Sequence, residues 1–177
     1  MRRNDIKQSI KEYFFINPSK KLRVREIERT LKFPLPSVIR YCKELMEQGI
    51  LEIEKIGNIS LYIADRTNEK YLLEKMIYNI KIIYESSLVS YLKEELGNPG
   101  IVLFGSYSKG EDVEESDIDL YIETLSKKGI DLKKFEKKLG RRIQIFRHGS
   151  IKEIKNSHLA NNIINGITLN NYIEVFK

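Results

Sequence analysis

The chain has little cysteine or histidine. The single cysteine, Cys42, excludes an internal disulfide, and with only two histidines no Cys/His cluster has zinc-ligand spacing. His148 and His158 stand isolated, as surface or packing residues do. No run of about 18 apolar residues occurs, so no membrane span is expected. The opening Met1-Arg2-Arg3-Asn4-Asp5-Ile6-Lys7 lacks the apolar stretch of a signal peptide, and a cytoplasmic location is expected. Internal repeats and low-complexity tracts are absent.

What is present is enough for one domain or two small ones: 177 residues, 41% hydrophobic and 32% charged, with a net charge of +6. The charge is uneven. Residues 1–70 carry about +5 and residues 71–177 about +1, so the basic excess sits in the N-terminal third and points to a polyanion there.

The N-terminal third reads as three helices and a hairpin. Asn4 is placed to cap a helix to about Phe15, with Ile6, Ile10 and Phe14 on one face. Val24, Ile27 and Leu31 mark a short second helix. After Phe33-Pro34-Leu35-Pro36, a third runs to about Gln48, with Val38, Cys42 and Leu45 inward and Gly49 closing it. Leu51–Ile56 alternates as a strand, Gly57-Asn58 turns, and Ile59–Ala64 returns. This order resembles a winged helix-turn-helix domain over about residues 3–65. The resemblance makes 36–48 a recognition helix that turns Ser37, Arg40, Tyr41 and Lys43 to DNA. It adds Lys55 and Asn58 from the wing, and Arg2, Arg3 and Lys7 from an N-terminal arm. A solvated helix face and a hairpin used for protein contacts are the alternative, which Glu44 and Glu47 favour.

Residues 65–68 read as a linker. A helix follows to about Tyr84, with Leu73, Met76, Ile77, Ile80, Ile83 and Tyr84 at helical spacing. That stripe is either core or the seam of a homodimer. A further helix spans Leu88–Leu96.

Residues 105–120 carry the chemistry. The apolar run Ile101–Phe104 reads as a buried strand and leads into Gly105-Ser106. After Gly110, Asp117 and Asp119 sit two apart at and in the strand Ile118–Ile122, hence on one face. Two adjacent carboxylates repel unless a divalent cation lies between them, and oxygen ligands suit Mg²⁺. A Gly-Ser turn opening a helix offers backbone N–H groups to an anion. A site for a metal-bound triphosphate follows.

Gly105-Ser106 followed by Ser116-Asp117-Ile118-Asp119-Leu120 resembles the signature of the DNA polymerase β superfamily, in its minimal nucleotidyltransferase branch. The resemblance implies Mg²⁺-dependent transfer of a nucleotide from an NTP to a hydroxyl on a protein, nucleic acid or small molecule. Asp117 and Asp119 would be the catalytic metal ligands. Gly105, Ser106 and Lys109 would hold phosphates, with Tyr107 and Ser108 structural. The family usually carries a third acidic residue on a neighbouring strand. Here that strand is Arg142–Phe146, and its inward polar position is Gln144, which cannot act as a base. Glu123 lies at the far end of its strand, and Asp131 reads as a helix cap. The expected architecture is α+β: a winged helix-turn-helix at 1–66, then a small mixed-sheet nucleotidyltransferase domain with flanking helices at 67–177. The alternative is a DNA-binding regulator or antitoxin-like protein whose transferase domain only binds nucleotide.

Overall fold

The computed structural model describes residues 3–176, with side chains from Ile6 onward. Two compact units divide between Tyr78 and Asn79. The division falls inside a helix, α4 (Glu69–Glu85). The boundary read from the sequence, after residue 66, lies in the loop before that helix.

The first unit begins with α1 (Arg3–Ile16), α2 (Val24–Leu31) and α3 (Leu35–Glu47), and continues into β1 (Leu51–Ile56) and β2 (Ile59–Ala64). Pro34 caps α3 and Pro36 lies in its first turn, where a missing N–H costs nothing. Gly49, at φ 70°, takes the left-handed position after the helix. β1 and β2 pair antiparallel from Leu51 with Ala64 to Ile56 with Ile59, around the two-residue turn Gly57-Asn58. Leu22 exchanges backbone hydrogen bonds with Tyr62 at 3.0 and 2.8 Å, which adds a one-residue bridge to the hairpin. The core gathers Ile10, Phe14, Ile27, Val38, Cys42 and Leu45. Burial pushes the Cys42 thiol up to about 12, the environment of an inert packing residue.

Several expectations for this unit are corrected. α1 starts at Arg3, so Asn4 lies within the helix and does not precede it. Lys7 is also in α1, and its ammonium pairs with Glu44 of α3 at 3.0 Å, so it is not part of an arm. Arg2 and the side chain of Arg3 lie outside the described residues. Tyr41 does not face outward. It is 6% exposed, because positions 38, 41, 42 and 45 repeat at three- and four-residue spacing and form the buried face of α3.

The stripe on α4 also divides. Ile83 is buried, but Leu73 and Ile77 are 52% and 53% exposed, and Tyr84 is exposed while its hydroxyl donates to the carbonyl of Leu169 at 2.7 Å. Tyr71 and Lys75 take the buried positions in the first unit, and Asn79 does so in the second.

The second unit adds α5 (Leu88–Leu96), β3 (Gly100–Phe104), β4 (Ile118–Glu123), α6 (Lys133–Leu139), β5 (Ile143–His148), α7 (Ser157–Ile164) and β6 (Ile167–Asn170). The last strand stops at Asn170. The sheet order is β5-β4-β3-β6. β4 and β5 run parallel, bridged by α6, and the other pairs are antiparallel, so the sheet is mixed. One face carries Ile101, Leu103, Ile118, Leu120, Ile122 and Ile143, packed with Leu88 and Leu92 of α5 and Phe135 of α6. The other face carries Val102, Phe104 and Tyr121, packed with Ile151 and Ile163. β3 is therefore apolar on both faces, while β4 turns its acidic residues to the second. Among the described residues no helix is long and apolar enough to cross a membrane.

Candidate functional site

The site is built on the connection from β3 to β4. Gly105 adopts φ +74°, and a Cβ there would collide with the carboxylate of Asp119. The glycine thus lets the backbone approach the second aspartate, and the two halves of the motif meet in space. Gly105-Ser106 does not open an α-helix as expected. A single 3-10 turn, Tyr107–Lys109, follows, and Gly110 ends it at φ 72°. An anion here would meet the N–H groups of a turn with little helix dipole behind them. The Ser108 hydroxyl donates to the carbonyl of Gly105 at 2.8 Å, and Tyr107 and Ser108 are both buried. Ser106 is half-buried and Lys109 is exposed.

β4 carries Asp119 on the face opposite Ile118 and Leu120, and Asp117 immediately precedes the strand. Asp119 is paired with Phe104 on one side and with Gln144 on the other. Gln144 is exposed and stands directly across from Asp119. The side chains of Asp117 and Asp119 make no hydrogen bond or ion pair among the described residues. Burial, and then the neighbouring charge of Asp117, raise the pKa of Asp119 above the usual aspartate range. Two unpartnered, mutually repelling carboxylates are a donor set that a divalent cation fits. Among the described residues no group of three or more Asp, Glu, His or Cys side chains gathers to hold a metal. Two carboxylates suffice for Mg²⁺, which keeps several waters and takes its remaining ligands from substrate phosphates.

A network that sequence reading missed anchors the loop before Asp117. Asp112 is 1% exposed. Its carboxylate accepts from Asn79 of α4 at 2.8 Å and pairs with the Arg141 guanidinium at 3.3 Å. Asn79 also donates to the carbonyl of Tyr107 at 2.9 Å. Arg141 reaches the carbonyl of Val113, and that of Ser116 at 3.5 Å. The Ser116 hydroxyl accepts from the N–H of Val113 at 2.9 Å. Apart from the local Val113–Ser116 bond, these contacts span 25 to 33 residues, and nothing local in the sequence marks them.

The remaining candidates fall elsewhere. Glu123, at the far end of β4, accepts from the N–H of Ile151 at 2.7 Å and from the Tyr121 hydroxyl at 3.1 Å. Asp131 accepts from the N–H of Lys133 at the start of α6. The His148 ring stacks on Tyr121, with centroids 6.1 Å apart, and its Nδ1 is buried without a partner among the described residues; His158 is exposed on α7. A groove of about 400 Å³ between α5 and α6, lined by Ser90, Tyr91, Lys134 and Lys138, shares no residue with the carboxylate pair.

On α3, Arg40 and Lys43 are exposed and Ser37 half-buried, and Lys55 is exposed on β1. Arg40 and Lys43 lie beside acids on the same helix: Arg40 is 3.7 Å from Glu44, and Lys43 is 3.9 Å from Glu47. The Arg40 guanidinium lies over the Tyr41 ring at 4.3 Å.

Residues 85–166 match the family model of the nucleotidyltransferase domain. The matched stretch runs from the end of α4 through α7 and includes Gly105, both aspartates and Gln144. The second unit is thus similar to that family, which supports nucleotidyl transfer as its general activity. Neither the curated proteins nor the solved structures hold a match to the chain.

Proposed function

We propose that the chain is a Mg²⁺-dependent nucleotidyltransferase that moves a nucleotide from an NTP to a hydroxyl acceptor, and that its first unit is a winged helix-turn-helix domain that binds DNA. The observation that carries the transferase reading is the approach of Asp119 to Gly105, which joins a carboxylate pair to a backbone turn within the matched stretch. Asp117 and Asp119 would hold the metal, which when bound polarises the phosphates and offsets the charge of the leaving group. Gly105 and Ser106 would orient the β- and γ-phosphates through N–H and hydroxyl donors, with Lys109 as an exposed counter-charge. The buried Asp112–Arg141 pair keeps the loop ahead of Asp117 in place. Three helices, a two-stranded wing and exposed Arg40, Lys43 and Lys55 support the DNA-binding reading of the first unit.

Calorimetry of the full chain with ATP and Mg²⁺ tests the site. Wild type should bind, and Asp117→Asn with Asp119→Asn should abolish binding. Equal binding by both proteins would remove the site from this account.

A second reading, a DNA-binding regulator or antitoxin-like protein that binds nucleotide without transferring it, is favoured by one observation: Gln144 stands across from Asp119, where a third carboxylate would be needed. A neutral amide withdraws general-base assistance, typically worth about 10²–10⁴-fold. Gln144→Glu should tighten Mg²⁺ binding and raise transfer of radiolabel from α-labelled NTP. Lower thermal stability without any gain in metal affinity would argue against that role for position 144.

A further inference from the structure

Two consecutive arginines precede β5, and the structure uses them differently. Arg141 is 8% exposed and is taken up by Asp112 and by the carbonyls of the loop. Arg142 is exposed and makes no ion pair among the described residues, although Asp117 lies just before the neighbouring strand and Asp119 within it. Its position is fixed by register. The Arg142 carbonyl accepts from the N–H of Ile118 at 2.8 Å, and Ile118 pairs with Ile143, so Arg142 lies beside Asp117. Ile143 and Ile145 pack on the helix side of the sheet, so Arg142 and Gln144 share the other face, that of Asp117 and Asp119. The edge strand therefore brings a cation and a neutral amide to the carboxylate pair.

This arrangement alters the charge balance of the site. One divalent cation on two carboxylates is neutral as a set, while a polyphosphate brings several negative charges. A carboxylate at position 144 would draw in more metal; Gln144 does not, and the positive charge on that face of the strand belongs to Arg142, because Arg147 alternates to the other face and donates to the carbonyl of Lys128 at 2.8 Å. A guanidinium offers a planar fork that matches phosphate oxygens in pairs and never loses its proton. We propose that Arg142 is a phosphate-binding cation of this site, holding a phosphate of the bound nucleotide on the β5 side of Asp117 and Asp119, where a third carboxylate would otherwise recruit a second metal. The inference rests on the nucleotide-binding reading given above.

The experiment compares wild type, Arg142→Gln and Arg142→Lys as full chains. Calorimetry is run with ATP plus Mg²⁺, with inorganic tripolyphosphate plus Mg²⁺, and with Mn²⁺ alone, and each protein is melted in parallel. Arg142→Gln should weaken both polyphosphates about tenfold or more, the loss expected for a charge-assisted phosphate contact. Its Mn²⁺ affinity should hold or rise, because a repelling cation has been removed, and Arg142→Lys should fall between. Unchanged polyphosphate affinity in Arg142→Gln, with wild type binding, overturns the inference and leaves the nucleotide site standing. Parallel loss of Mn²⁺ binding also overturns it, because Arg142 would then be shaping the carboxylates. If wild type binds neither polyphosphate, the nucleotide reading fails and takes this inference with it.

Discussion

The environment of Asp119 conflicts with its charge. Burial and the neighbouring Asp117 both raise its pKa in the folded chain. The unfolded chain therefore ionises this carboxyl more readily, and wild type loses stability as pH rises from the ordinary aspartate range through the raised value. Without metal, Asp119→Asn should be more stable than wild type at neutral pH. The difference should shrink towards zero near pH 3, where both side chains are uncharged. Thermal melts in chelator across that range check it; a destabilised Asp119→Asn at neutral pH would mean that the carboxylate has a partner in solution. At this scale the sequence was informative where chemistry is local. Gly105, Asp117 and Asp119 lie within 15 residues, and Gln144 was placed by the alternation of one strand. Tyr41 was misread because its hydroxyl and its neighbour Arg40 suggest a surface, whereas the helical spacing it shares with Val38, Cys42 and Leu45 puts it inside.

Among the elements, the loop from Gly105 to Asp117 depends on a buried ion pair. Asp112 and Arg141 are both almost fully enclosed, and removing one partner of such a pair typically costs about 3–5 kcal/mol because the other charge is left uncompensated. Arg141→Met should destabilise the chain by about that much, and adding Asp112→Asn should recover part of the loss. Denaturant melts of the single and double variants measure this. A single variant within about 0.5 kcal/mol of wild type would mean that water reaches the pair. The helices, the hairpin and β3 to β5 were legible because periodicity and turn residues specify them locally. This network was not, because Asp112 and Arg141 lie 29 residues apart and no local pattern links them. The split stripe of α4 had the same cause: helical spacing shows which residues share a face, but what covers that face depends on distant chain.

For the whole molecule, charge sets the expectations. The first unit holds most of the net positive charge, and neutralising phosphates with exposed Arg and Lys releases counterions. Duplex binding by the full chain should therefore weaken steeply between low and physiological salt. Arg40→Ala should cost roughly 1–3 kcal/mol if Arg40 reads a base edge. Gel shifts across a salt series test both; binding that ignores salt, or none at all, would favour the protein-contact reading of α3 and the wing. A second basic stretch was hidden in the average. Residues 127–142 hold eight lysines and arginines against two acids, while the acidic loop before β4 balances them in the sum. The carboxylate pair thus lies in a locally acidic segment next to a locally basic one.

The strand order has one more implication, for solubility. Among the described residues β5 is an edge strand, so one row of its backbone groups has no neighbouring strand there. A bare edge of this kind templates pairing with another chain, and charged side chains discourage it. Arg142 at one end and Arg147 towards the other put charge along that edge. Neutralising Arg142 would thus expose the sheet to self-association as well as altering the site, and light scattering should accompany every measurement made on that variant.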